Sequence, residues 1–217
     1  MNILAFDTST EKFSISILKN NKTVLSVSKI LNKTYSKYLI PIIHESLKKS
    51  KININQINQI FVSLGPGSFT GIRLGIAAAK GLGIANNINI YGFNNMDVLI
   101  NSLDRNIGKK KIMTIIKSKK NDYYYQLFNS KRKPVKKISF FSLKEIPPYF
   151  FENKLIIGDL DSKTVSELKK SGNNVIFHKN QLSISDILVN LIKEKRSVKK
   201  IKSLDPLYIY DHYGKKN

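Results

Sequence analysis

Ser63-Leu64-Gly65-Pro66-Gly67-Ser68-Phe69-Thr70-Gly71-Ile72-Arg73-Leu74-Gly75-Ile76-Ala77-Ala78-Ala79-Lys80-Gly81-Leu82-Gly83 reads as the end of a strand, a sharp turn and a helix. The apolar run over residues 59–64 stops at Gly65-Pro66-Gly67, a turn signal that belongs in no element interior. Ser68 or Thr70 can then cap the helix with a side-chain oxygen. Inside the helix Gly71, Gly75, Ala79 and Gly83 recur every fourth residue and form one stripe of small side chains. A glycine within a helix costs about 1 kcal/mol against alanine, so several of them require a compensating gain. Close approach of another backbone is such a gain. The rule was worked out for membrane helices, but the geometry holds in water. A partner's helix is the preferred occupant of the stripe; the chain's own sheet is the alternative.

The turn is not a phosphate loop. A P-loop needs Gly-x-x-x-x-Gly-Lys-Ser/Thr; five residues on from Gly65 stands Thr70, and from Gly67, Ile72. The dinucleotide fingerprint Gly-x-Gly-x-x-Gly fails because the sixth position is Thr70.

Outward from this block, residues 3–6 form a short apolar strand, residues 13–17 alternate with period two, and residues 23–28 form a third strand after the turn Asn20-Asn21-Lys22. Tyr35, Leu39, Ile42, Ile43 and Leu47 share one face of a helix over residues 35–49. Pro41 marks either a kink in it or its first turn. A strand over 88–92 and a helix over 95–103 follow. Near Asn106-Ile107-Gly108 the composition turns Lys-rich, which places a lobe boundary there. Strands are expected over 111–116, 123–128, 155–157 and 174–177, with helices over 162–170 and 183–195, the last capped by Ser183 with Asp186 in its first turn. The resulting division is 1–105, 106–199 and a tail, 200–217, packed back on the first lobe.

The chain has 217 residues, enough for one large domain or two lobes with a real core. Its charge is lopsided: 37 Lys+Arg against 15 Asp+Glu, net +22. Residues 1–108 carry twelve basic and five acidic side chains; residues 109–217 carry twenty-five and ten. Such a field attracts RNA and other polyanions. The abundance of Lys, Asn and Ile over Arg also fits an AT-rich coding sequence, with the runs serving as solvated faces. The absence of Cys rules out disulfides and thiol chemistry. The start shows no leader pattern and no window is apolar enough to span a bilayer, so no membrane association and a cytoplasmic location are expected.

Gly65-Pro66-Gly67-Ser68-Phe69-Thr70-Gly71-Ile72-Arg73 resembles the signature of the TsaB (YeaZ) family. Ile3-Leu4-Ala5-Phe6-Asp7-Thr8-Ser9-Thr10 is similar to that family's first strand and turn, Leu39-Ile40-Pro41 to part of its first helix, and Asp205-Pro206-Leu207-Tyr208-Ile209 to its closing motif. The matching blocks run nearly the whole chain in order, and the first is highly specific. The resemblance implies a two-lobed α/β fold of the actin/Hsp70/sugar-kinase (ASKHA) type. It implies a non-catalytic subunit that pairs with TsaD, the related catalytic subunit, and acts with TsaE, an ATPase, in forming the threonylcarbamoyl group on tRNA adenosine next to the anticodon. In that family the helix after the glycine turn makes the subunit contact. The expected contact surface is Gly71, Arg73, Gly75, Ala78, Ala79, Leu82 and Gly83, which alone can also form a homodimer. The sequence departs from the family at Tyr35 before Ser36, at Leu160 after Gly158-Asp159, at Lys117 to Tyr123 and at Tyr210.

No catalytic residue, cofactor or metal site is expected. Asp7, Thr8 and Ser9 are a candidate vestigial phosphate turn, with a turn-forming Asp7 bonded to nearby backbone as the preferred reading. His44, His178 and His212 lack metal-ligand spacing. No Gly-x-Ser-x-Gly elbow supports acyl chemistry. A low-activity nucleotide-binding phosphotransferase of the same fold is the second reading. A stand-alone RNA-binding protein is the third; Tyr123-Tyr124-Tyr125 offers rings for base stacking, though their alternation puts at least one in the core. tRNA contact is expected only through the complex, with Lys117, Lys119 and Lys120 as its candidates.

Overall fold

Two sheets of the same plan organise the chain in a computed structural model that describes residues 1–30, 35–103, 111–119, 122–145, 147–152, 154–158, 165–166, 174–176, 183–207 and 209. The first unit comprises residues 1–98 and 183–207, the second 99–182 and 208–217.

In the first unit β1 (Asn2–Asp7), β2 (Lys12–Lys19) and β3 (Lys22–Ile30) form an antiparallel meander, and β4 (Gln59–Ser63) and β5 (Asn89–Phe93) join parallel to β1 in the order β3-β2-β1-β4-β5. The period-two pattern of β2 decides what covers each face. Phe13, Ile15 and Ile17 meet Leu39, Ile43 and Leu47 of α1 (Tyr35–Lys49) and Ile72, Ile76 and Ala79 of α2 (Phe69–Asn86). Ser14 and Ser16 point the other way. There Ser14 Oγ accepts from the Ser185 amide at 3.3 Å, and Ser16 Oγ donates to Asp186 at 2.5 Å. Both partners belong to α4 (Ile184–Lys193), whose N-cap is Ser183. Hydrogen bonding is what lets a polar stripe of a central strand lie under a helix without a desolvation penalty. The helix α1 runs through Pro41 well past its first turn.

Residues 183–199 therefore do not join the second lobe as the sequence division had it: α4 packs on β1, β2 and β3 of the first unit. Beyond it, Ile201 and Gly92 exchange backbone bonds of 2.7 and 3.0 Å, and the Leu207 amide donates to the Leu64 carbonyl at 2.9 Å. This holds 201–207 along the first unit.

The second unit has β6 (Lys111–Lys119), β7 (Asp122–Phe128) and β8 (Ser139–Ser142) antiparallel, with β9 (Lys154–Gly158) and β10 (Asn174–Ile176) parallel to β6, in the order β10-β9-β6-β7-β8. Strand directions and order thus repeat those of the first sheet. Met113, Ile115, Tyr123, Phe141, Phe151 and Ile156 form its core. β8 has no counterpart in the sequence expectations. The helix expected over 162–170 falls outside the described residues except for Val165 and Ser166, as do the departures Leu160 and Tyr210 and the side chain of Tyr35.

Candidate functional site

The glycine turn is built against the turn after β1. Gly65 takes φ of 94°, which L side chains avoid, and the Gly65–Pro66 peptide is cis. The Leu64 amide donates to Phe93 O at 2.9 Å and the Ser68 amide to Ser9 O at 2.6 Å. A Cβ on Gly67 would overlap the backbone of Ser9. Ser68 caps α2, accepting from the Gly71 amide at 3.2 Å.

Asp7, Thr8 and Ser9 lie beneath, essentially fully buried. Asp7 Oδ1 accepts from the Ser9 amide at 2.8 Å and from Ser9 Oγ at 2.5 Å; Oδ2 accepts from Thr10 Oγ1 at 3.1 Å. Ser9 Oγ accepts from Asn95 Nδ2 at 2.7 Å, and the same amide reaches Pro66 O at 3.1 Å. Ser63 Oγ donates to Asn95 Oδ1 at 2.8 Å. Burial pushes the Asp7 carboxyl above its ordinary value of 3.8; the bonds from Ser9, Ser63 and Thr10 pull it back only in part. The network ties the ends of β1 and β4 to the N-terminus of α3 (Asn95–Ser102).

Within the candidate phosphate turn the polar groups bond to one another and to nearby backbone, the role that the sequence reading preferred for Asp7. Thr8 Oγ1 donates to Gly71 O at 2.6 Å, Gly71 abuts the Thr8 carbonyl, and Gly67 abuts that of Ser9. The donors that a phosphate would need are engaged within the chain, the Thr8 hydroxyl on Gly71 O and the Ser9 amide and hydroxyl on Asp7 Oδ1. Asp7 is a turn-forming residue bonded to nearby backbone. Ser63 and Asn95 escaped the sequence reading because their partners lie 54 and 86 residues away from them in the chain.

The small-residue stripe needs correction. Gly71, Gly75, Ala79 and Gly83 are buried, and they face this chain's own sheet. A Cβ on Gly71 would lie 3.1 Å from the Thr8 carbonyl carbon and closer still to its oxygen; on Gly75 it would strike Thr8 Oγ1; on Gly83 it would strike Ile90. The close-approaching backbone is that of Thr8, in the turn after β1, and core packing, not a partner helix, occupies the stripe.

Of the other predicted contact residues, Arg73 is exposed, its guanidinium 3.7 Å from the centre of the Phe69 ring, while Ala78 and Leu82 are half-buried. The outward face comprises Thr70, Arg73, Ala77, Lys80, Gly81, Ile84 and Ala85, of which the sequence reading named only Arg73 as a contact residue. Ile84 is 82% exposed, and nothing lies within 4 Å of a Cβ on Gly81. The signal was present: Arg73, Ala77, Gly81 and Ile84 follow helical spacing, and α2 has no polar stripe of ordinary width.

The tyrosine run is packing. Tyr123 is buried and stacks with Phe141 at 5.5 Å; Tyr124 is buried on the opposite face, 5.9 Å from Phe140; Tyr125 meets Phe150 edge-on at 5.3 Å. None of the three presents a free stacking platform. Among the described residues no group of His, Cys, Asp and Glu could hold a metal ion, and no helix is long and apolar enough to cross a membrane. His178 and His212 lie outside the described residues.

The family model described as TsaD: tRNA N6-adenosine threonylcarbamoyltransferase matches residues 22–199. A curated relative, the tRNA threonylcarbamoyladenosine biosynthesis protein TsaB of Buchnera aphidicola subsp. Baizongia pistaciae, is 36% identical over 124 residues, 57% of this chain and 56% of that protein. The matches span about half the length of the curated relatives, 52–58% in the first four. Among solved structures, YeaZ from Pseudomonas aeruginosa superposes with a TM-score of 0.69 at 18% identity, covering 96% of this chain and 99% of that one. A Bacteroides thetaiotaomicron protein with an actin-like ATPase fold gives 0.56 at 15% identity, covering 87% and 95%. The fold expected from the sequence, actin-like α/β, is borne out.

Proposed function

We propose, since this chain belongs to the TsaD family (tRNA N6-adenosine threonylcarbamoyltransferase) and within it to the TsaB (YeaZ) proteins, that it serves as a non-catalytic partner subunit. It binds and supports a TsaD-like catalytic subunit during formation of the threonylcarbamoyl group on tRNA adenosine next to the anticodon. The observation that carries this reading is the two-faced α2. Its inner face is spent on its own sheet, and its outer face offers Ala77, Gly81, Ile84 and Ala85 beside the cations Arg73 and Lys80. Small side chains allow a second helix to come close, and the apolar ones gain by being covered. The internally bonded turn at Asp7 supports the non-catalytic part of the reading over a nucleotide-using phosphotransferase. A TsaE-like ATPase joins the same assembly, tRNA is met only within it, the lone chain pairs with itself through the same face, and the work is done in the cytoplasm.

Size-exclusion chromatography with light scattering tests this, with the TsaD-like protein of the same organism as partner. The wild type forms a heterodimer. Ile84→Arg forfeits about 1.5–3 kcal/mol of side-chain burial, about 10- to 150-fold in Kd, while its melting temperature stays put because Ile84 is exposed. A wild-type chain that stays apart from the partner overturns the reading. A variant that binds as well as the wild type moves the interface off α2.

A further inference from the structure

We propose that the loop between β7 and β8 is a docking site for the phosphate backbone of RNA. The choice of RNA among polyanions rests on the function proposed above. The site itself rests on this loop.

Between Asp122 and Glu145 the chain has no acidic residue. In that interval Lys131, Arg132, Lys133, Lys136 and Lys137 crowd into seven positions. With 37 Lys+Arg in 217 residues, composition alone would put about one cation in a stretch of that length, so the general Lys bias does not account for five. Lys131, Lys133, Lys136 and Lys137 are exposed. These four take part in neither ion pair found between described residues, Lys49–Glu45 and Arg196–Glu194.

The cations sit on a fixed frame. Asn129 Oδ1 accepts from the amides of Lys131 and Lys133 at 3.0 Å each, and the Asn129 amide donates to Lys133 O at 3.0 Å. The Arg132 amide donates to Asn129 O at 2.9 Å, the Val135 amide to Leu127 O at 2.8 Å, and Gln126 Nε2 to Lys136 O at 3.2 Å. Apart from the Val135–Leu127 bond, these bonds use the backbone of the basic residues, and none of them engages the side chain of Lys131, Lys133, Lys136 or Lys137. Arg132 takes φ of 60°, a conformation glycine or asparagine adopts more readily.

Like charges at this density repel one another, and an anionic ligand relieves that repulsion. Four of the five are Lys, point charges that neutralise phosphates without the directional forks of Arg, which fits a sequence-independent backbone contact. Preorganisation by the Asn129 frame removes the ordering cost that a flexible tail would meet on binding. Of the candidates Lys117, Lys119 and Lys120, Lys117 is half-buried, and Lys120 and the Lys119 side chain lie outside the described residues.

The test measures binding of an unmodified tRNA transcript to the complex of this chain with its TsaD-like partner, between about 50 and 200 mM salt. Three forms are compared: wild type; a loop variant with Lys131→Gln, Lys133→Gln, Lys136→Gln and Lys137→Gln; and a charge-matched control with Lys19→Gln, Lys22→Gln, Lys29→Gln and Lys48→Gln, all exposed. Each phosphate contact contributes about 0.7–0.9 to the slope of log K against log salt. Loss of four flattens the slope by about 3, so over that salt range the wild type loses about 60-fold more affinity than the loop variant. The control keeps the wild-type slope. A loop variant with an unchanged slope overturns the proposal, and so does a control that flattens equally, since net charge would then suffice. A variant whose only losses are for phosphatidylserine vesicles or poly-glutamate assigns the loop to a membrane or an acidic protein instead. Light scattering is run first. If the wild type does not assemble with its partner, the functional reading fails by itself, and the same titration on the lone chain still decides the loop.

Discussion

Substituting the glycines of α2 one at a time separates the two explanations of its small-residue stripe. In Gly71→Ala the new methyl lands against the Thr8 carbonyl, 3.1 Å from its carbon and nearer to its oxygen. Backbone cannot rotate away as a side chain can, so α2 must lift from β1. That strains the 2.6 Å bond from Thr8 Oγ1 to Gly71 O. Overpacking of this kind costs about 3 kcal/mol and the weakened bond about 1, against about 1 regained in helix propensity. The net loss is about 3 kcal/mol, or about 6–12 °C in the melting temperature for a chain of this length. Gly75→Ala meets Thr8 Oγ1, a side-chain atom, and Val62 at 3.4 Å, so its loss is smaller. Gly81→Ala meets nothing within 4 Å and should gain about 1 kcal/mol from propensity alone, raising the melting temperature by about 2–4 °C. Differential scanning calorimetry of the three variants reads the order directly. A Gly71→Ala chain that melts with the wild type but no longer binds the TsaD-like subunit would refute the reasoning, because the stripe would then face a partner after all.

Asp7→Asn keeps Oδ1 as acceptor for Ser9, and its new amide can donate to Thr10 Oγ1, whose own proton turns to Lys12 O at 2.9 Å. Because burial raises the Asp7 pKa, the folded state holds the proton more tightly than the unfolded one. The Asp7 contribution is then full below 3.8 and is lost as pH rises through the folded value. The stability of Asp7→Asn relative to wild type should therefore climb from acid toward neutral pH; parallel urea-midpoint curves for the two would dismiss the effect. Asn95→Ala removes bonds to Ser9, Ser63 and Pro66 and leaves buried groups unmatched, a loss of about 3 kcal/mol that chemical denaturation of the first unit would register.

The sequence was most legible where one residue type settles a local question. Gly65-Pro66-Gly67 stops a strand, and Ser68, one of the two candidate caps, caps a helix; the alternation at residues 13–17 marks the apolar face, but the serine face is buried as well. The stripe on α2 was legible as a pattern but not as a contact. Spacing says that something comes close, yet the thing that comes close is the turn after β1, distant in sequence. The same distance hid Asn95. The placement of α4 was lost for a different reason. Its helix was evident, but the partners of Ser185 and Asp186 are Ser14, Ser16 and Ser26, serines that look like the solvated face of a meander until a polar helix end is laid on them.

The closed turn at Asp7 and the outward face of α2 follow from one cause. Glycine at 67 and 71 lets the turn and the first helical residues settle on the carbonyls of Ser9 and Thr8, next in the chain to the buried Asp7. A helix seated so low has given its small residues to its own sheet, so whatever stays apolar on its outer side, Ile84 above all, gains nothing from this chain. Burial of one such side chain is worth about 1.5–3 kcal/mol, which the lone chain forgoes and a second helix would recover. In the proposed function the features that deny this unit a phosphate site and those that suit it to a partner are therefore opposite faces of the same eighteen-residue helix. The two can be separated by experiment: Ile84→Arg should leave the turn and the stability of the unit intact while weakening assembly about 10- to 150-fold, and Gly71→Ala should do the reverse at temperatures where the variant remains folded.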